Sequence, residues 1–215
     1  GENPKITGAT TSLTQLFSFS AKKYWIIDGL EMYGTTTRLM WIGDYSSYIT
    51  IRNCYFHDCG SPTVNTEATK FAYASHVIIE NNRCYKTGME GFDCVTGKNC
   101  RVSNNVISNT GYLAITFKGG AETDTVENNL VYDTQIGVTA GGCSGTDWCT
   151  ADGFEALNLL VRNNRLYNVD IGVWVYGGKN INIFNNTLYN VRGQGVYLKQ
   201  GCCGGTLSVP TNVTI

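Results

Sequence analysis

The sequence predicts an all-β chain, a parallel β-helix in which three short strands make each coil. Three observations carry this expectation. A phrase built from a β-branched strand and an Asn pair recurs, as in Val161-Arg162-Asn163-Asn164-Arg165-Leu166 and Ile183-Phe184-Asn185-Asn186-Thr187-Leu188. The first Asn or Asp of each copy falls at 28, 53, 81, 104, 128, 163 and 185, in steps of 25, 28, 23, 24, 35 and 22 residues. A near-constant period in this range marks a repeat architecture. No segment sustains the apolar period of a helix, so strands are the repeating element.

Each copy has the same three parts. A strand such as His76-Val77-Ile78-Ile79 leads into the Asn pair. A second strand follows, as in Asn186-Thr187-Leu188-Tyr189, and after a Gly comes a third, as in Gly172-Val173-Trp174-Val175-Tyr176. Stacked coils place like strands about 4.8 Å apart. The Asn pair suits the sharp bend, because Asn accepts left-handed backbone angles. Aligned Asn side chains can also bond from coil to coil as a ladder. Asn185-Asn186-Thr187 matches a glycosylation sequon, but Asn185 is expected in that ladder and is discounted.

One domain over residues 1–215, with about seven to eight coils, accounts for the chain. An inserted loop is expected near 141–157. Leu16-Phe17-Ser18-Phe19 already reads as a coil strand, and Asn212-Val213-Thr214-Ile215 matches Asn180-Ile181-Asn182-Ile183. The last coil is therefore expected to be incomplete, as in part of a longer chain or a subunit that self-associates through open coil ends.

Net charge is −1 and 15% of residues are charged. With no basic cluster, nucleic acid is not an expected partner. The apolar runs are too short for a membrane-spanning helix. Nine Cys, at 54, 59, 84, 94, 100, 143, 149, 202 and 203, point to a secreted, oxidised protein. Cys143 and Cys149 flank a Gly-rich loop and could close it. Cys94 with Cys100, and Cys54 with Cys59 or Cys84, are further options, and the odd count leaves one thiol over. The alternation of Asp93-Cys94-Val95 would instead turn Cys94 inward as a small core residue.

The phrase V-x-I-x-N-N-x-L-Y-N, followed by G-V-x-V, resembles the right-handed parallel β-helix superfamily that contains the pectate lyases. Segments such as His57-Asp58-Cys59-Gly60, Phe117-Lys118-Gly119-Gly120 and Asn185-Asn186-Thr187-Leu188-Tyr189-Asn190 are similar to secreted bacterial members. The resemblance implies a right-handed coil. It also implies a polysaccharide-binding groove on the sheet formed by the third strands and their loops.

Period-2 alternation along those strands assigns the outward residues. One outward column is read as Met40, Asp93, Thr116, Thr139, Trp174 and Tyr197. The next is Ile42, Val95, Lys118, Gly141, Tyr176 and Lys199. The coil between 59 and 76 has no clear assignment. Asp93, Thr116, Trp174, Tyr176, Tyr197 and Lys199 thus become candidate substrate-binding residues, since polar-tipped aromatics beside charges suit sugar faces and hydroxyls. The competing reading is that the aromatics are exposed β-formers stacked on the next coil.

In the lyases it resembles, β-elimination needs a base for the proton beside the uronate carboxylate and a positive group to neutralise that carboxylate. Lys118 is the candidate base. Calcium could be the neutraliser, and Glu90, Asp93, Glu122 and Asp124 are the candidate ligands. The basic partner expected on the coil after Lys118 is missing, which favours binding over catalysis. The readings carried forward are a polysaccharide lyase, a non-catalytic glycan-binding module, and a subunit that stacks end to end into a filament.

Overall fold

A computed structural model describes residues 4–8, 13–62, 65–145, 148–203 and 206–215. The chain winds into coils of three parallel strand rows. The first row runs through Lys23–Asp28, Ser47–Arg52, Ile78–Glu80, Arg101–Ser103, Thr125–Glu127, Leu160–Arg162 and Gly178–Phe184. The second includes Glu31–Tyr33, Tyr55–Cys59, Arg83–Thr87, Val106–Ser108 and Thr187–Tyr189. The third holds Phe17–Ser20, Arg38–Gly43, Glu67–Ala72, Glu90–Val95, Leu113–Lys118 and Gln194–Lys199. Leu130–Gly141 and Arg165–Tyr176 each run through the second and third rows as one bent strand.

Every coil turns the same way because both members of the Asn pair have a task. The first member, at 53, 81, 104, 128, 163 and 185, takes the left-handed backbone, with φ between 54° and 57°. A β-branched residue would be strained there, whereas Asn is not. The second member forms the ladder. Asn82, Asn105, Asn129 and Asn164 each donate from Nδ2 to the Oδ1 of the next Asn at 3.0 Å, ending on Asn186. Their Nδ2 groups also reach the carbonyls of Ile51, Ile79, Val102 and Val126, at 2.9–3.0 Å. Buried amides so completely paired fix the coil register. Asn185, expected in the ladder, is the exposed left-handed member. In the first coil Gly29 (φ 71°), and not Asp28, occupies the corner, since Asp28 pairs with Arg52 inside the strands.

Inward side chains stack into one continuous core that includes Phe56, Phe71, Phe92 and Phe117. Cys54, Cys59, Cys84, Cys94 and Cys100 belong to it as buried free thiols, so the pairings considered among them do not form. The loop cysteine Cys143 bonds Cys202 instead of Cys149, across a sequence separation of 59. Cys149 is also disulfide-bonded. The Cys143–Cys202 bond joins the insertion between Gly141 and Ala156 to an antiparallel hairpin, Gly201–Cys203 with Thr206–Ser208, which the repeat pattern did not suggest.

One outward assignment shifts by a residue. Met40 pairs with Thr69 and faces the core at 0% exposure, while Trp41 pairs with Lys70 and faces out. Ile42, expected outward in the neighbouring column, is likewise buried in the core.

Candidate functional site

The outer face of the third row is a shallow trough. Registered strand pairs place Trp41, Lys70, Asp93, Thr116, Thr139, Trp174 and Tyr197 along its floor, one per coil. One bank carries Arg38, Glu67, Glu90, Leu113, Ile136 and Ile171. The other carries Val95 and Lys118, and farther along Tyr176 and Lys199.

At the centre lies an ion network whose carboxylates are buried and whose cations are partly exposed. Lys118 Nζ meets Glu90 Oε1 at 3.0 Å and Asp93 Oδ1 at 3.1 Å. Lys70 Nζ meets the other Asp93 oxygen at 2.6 Å and Glu67 Oε1 at 3.1 Å. Arg38 Nε closes the row on Glu67 Oε2 at 3.2 Å. The side chains of Asp93 and Glu67 have 0% exposure. The contacts to Asp93 are close ionic approaches rather than well-aligned hydrogen bonds, because neither oxygen has a partner of good angle. Charges in so dry a place persist only when paired this closely.

Proton positions follow from this packing. Burial pushes Glu90 up, and the Asp93 charge beside it pushes further, to about 8. Burial would raise Asp93 too, but Lys118 and Lys70 outweigh it and hold its carboxyl below the ordinary value. Burial would lower Lys118, yet Asp93 and Glu90 prevail and hold it above the usual lysine range. The same opposition, with Asp93 and Glu67 as partners, raises Lys70. Near neutral pH Glu90 thus keeps its proton while Asp93 stays ionised between Lys70 and Lys118. Lys118 is an ammonium there, so the residue expected as a base is in its protonated form.

The expected metal set does not assemble. Glu122 lies in the short strand Ala121–Glu122 and pairs with Lys98 at 2.9 Å. Asp124 is buried at the next corner, where its Oδ1 accepts the Cys100 amide at 2.7 Å. Glu67 takes their place beside Glu90 and Asp93, with one oxygen of each within 4.8 Å of the others. Calcium does not fit this triplet as it stands, because two ammonium groups already occupy the space between its carboxylates and would repel a further cation.

Sequence reasoning missed Lys70 and Glu67, which lie in the coil it left unassigned. Lys70 is a second basic residue on this face, one coil before Asp93 rather than one coil after Lys118. Glu67 and Glu90 pair directly in the register, so the coil repeat itself was the signal that could have found them.

Beyond the ion network the trough turns aromatic. Trp174 stacks on Tyr176 at 4.7 Å and on Tyr197 at 6.1 Å. Lys199 Nζ sits 5.4 Å from the Trp174 ring and 4.9 Å from the Tyr176 ring, within cation–π range. Trp41 shapes the opposite end, with Arg38 over its ring at 5.1 Å. Glu90 Oε2, Thr116 Oγ1, Thr139 Oγ1 and Trp174 Nε1 are buried polar atoms with no hydrogen-bond partner within the protein. All four have almost no accessible surface, so they lie beneath the face rather than on it. The insertion fixes the Lys118 bank: Glu155 accepts the Gly119 amide at 2.9 Å and the Ser144 amide and hydroxyl at 2.6 and 2.8 Å.

Residues 16–151 match the family described as a right handed beta helix region. The chain belongs to this β-helix family. No curated protein matches it. Among solved structures the β-helix is similar to an alginate lyase from Paenibacillus sp. str. FPU-7. The identity is 18%, the match covers 90% of this chain and 71% of that one, and the TM-score is 0.68. It is also similar to PfbA, a surface adhesin of Streptococcus pneumoniae, at 14% identity, with 89% of this chain and 60% of that one covered and a TM-score of 0.54. At these identities the likeness is one of fold.

Proposed function

We propose that this β-helix is a secreted protein that binds an acidic polysaccharide along the third-row trough and cleaves it by β-elimination. The observation that carries this reading is the Lys70–Asp93–Lys118 arrangement, two ammonium groups on coils flanking one buried carboxylate. A uronate carboxylate is the complementary ligand. The Cys143–Cys202 disulfide supports an oxidising compartment. A lyase among the structural neighbours is consistent with the reading.

In the reaction a base removes the proton from the carbon bearing the carboxylate. The C–H electron pair becomes a carbon–carbon double bond, and the glycosidic C–O bond breaks, its oxygen leaving with a proton. Lys118 and Lys70 supply positive charge where the carboxylate gains electron density. Glu90 is the proton-transfer group, since burial and the Asp93 charge push its carboxyl up to about 8. The stacked aromatics hold the sugars on one side.

The test is incubation with polyuronates while following the ultraviolet absorbance of unsaturated chain ends. Wild type is expected to generate that absorbance, whereas Glu90→Gln binds without cleaving and Lys118→Ala loses both. Binding by wild type with no unsaturated product on any polyuronate would replace this reading with a non-catalytic glycan-binding module. The completeness of the ion pairing and the adhesin among the fold neighbours favour that second reading.

A further inference from the structure

The trough offers positive charge at two separate places. The first is the ammonium pair of Lys70 and Lys118, both reaching to the coil of Asp93. The second is Lys199, whose ammonium leans back over the rings of Trp174 and Tyr176, on the coil of Trp174. No ion pair to Lys199 occurs among the described residues. Three coil steps separate the two places, from Asp93 through Thr116 and Thr139 to Trp174. At about 4.8 Å per step the separation is about 14 Å.

The ground between them has a different chemistry. The floor residues there are Thr116 and Thr139, only 1% and 2% exposed, with hydroxyls that lack any protein partner. The Trp174 indole N–H is also unpartnered. The bank beside them is Leu113, Ile136 and Ile171. With no cation on this floor or on the aliphatic bank, the stretch provides nothing for a carboxylate.

We propose that the trough reads two carboxylates of one chain, on the first and fourth of four consecutive sugars, with the two sugars between them presenting no acid to the protein. One coil step is close to the length of one sugar in an extended chain, so four sugars span the two cationic places. The acidic polysaccharide that fits is one with three residues per helical turn, which returns every third carboxylate to the same side. A twofold ribbon presents its acids to one side at every second sugar and misses Lys199. This inference rests on the acidic-polysaccharide reading and adds its length and shape.

The experiment is titration calorimetry of wild type, Lys199→Ala and Lys199→Arg with size-defined oligogalacturonates and oligomannuronates of three, four and five residues. The expected result is a rise in affinity of about tenfold from three to four residues in at least one series, or about 1.4 kcal/mol. Lys199→Ala erases that rise and Lys199→Arg keeps it. Since Lys199 is exposed, the alanine variant retains its fold, which circular dichroism checks. A smooth increase with length that ignores Lys199 overturns the two-point reading and leaves the acidic-polysaccharide reading standing. No binding of either series at any length overturns both.

Discussion

Replacing Lys70 by Met tests whether the central network is held by its charges. Lys70 Nζ contacts Asp93 at 2.6 Å and Glu67 at 3.1 Å, and both carboxylates are fully buried. Removing one partner of a buried ion pair costs about 3–5 kcal/mol, because the other charge is left without compensation. Lys118 still meets Asp93 at 3.1 Å and Arg38 still meets Glu67 at 3.2 Å, which places the loss near the lower end. Urea unfolding at neutral pH should therefore show a destabilisation of about 3 kcal/mol with an unchanged m value. The loss should depend on pH. Asp93 has a native carboxyl below its unfolded value, so its stabilisation is present above the ordinary carboxylate range and disappears as pH falls through the native value. The gap between Lys70→Met and wild type should thus be widest at neutral pH and narrow in acid. In a cycle with Asp93→Asn the coupling should be on the order of 2 kcal/mol. A single-variant cost below about 1 kcal/mol, or an equal cost in acid and at neutral pH, would refute the argument.

Asn129→Ala removes two donated and two accepted bonds, all of 2.9–3.0 Å, and leaves the Asn105 amide unpaired, so it should cost about 3–4 kcal/mol in the same assay. Asp124 is raised well above its ordinary value by burial first and by Cys100 next, and its Oδ2 has no partner. Its contribution is intact in acid and is lost as pH rises toward the native value, so Asp124→Asn should melt higher than wild type at neutral pH and match it in acid. With Glu90 as the proton-transfer group, cleavage should rise with pH through about 8, and a rate that falls over that range would remove Glu90 from the role. Cleavage should also be unaffected by a calcium chelator, since Lys70 and Lys118 occupy the carboxylate triplet.

The coils were legible because each repeats a local requirement, a left-handed corner followed by an amide that must be paired. The sequence pattern could not tell which Asn did which, because the two lie side by side and only stacking divides their tasks. The outward column failed at one coil for a physical reason. The strand bends where Ala68, Gly91, Ala114, Gly137, Gly172 and Gly195 stand, and at this bend two consecutive residues turn inward. A side chain at Gly91 would come within 2.5 Å of the Ala114 carbonyl. The first coil has Leu39 at that position, so its alternation was counted from the wrong residue, and Met40 was placed where Trp41 belongs. Lys70 and Glu67 were hidden by the extra residues ahead of them, which broke the period. The Cys143–Cys202 bond links segments that meet only after two further coils have been wound.

The corner between the first and second rows has the same length in every coil. Two residues separate Arg52 from Tyr55, Glu80 from Arg83, Ser103 from Val106, Glu127 from Leu130, Arg162 from Arg165 and Phe184 from Thr187. Extra chain enters at the ends of third-row strands, as before Glu67, after Gly141 and after Lys199. The molecule therefore has a spine of constant gauge and a margin open to revision. A segment exchanged between Gly141 and Ala156 would behave as a cassette, remodelling the rim beside Lys118 while the amide stack keeps every coil in phase. Changes in what the trough accepts can accumulate there without the fold having to be solved again.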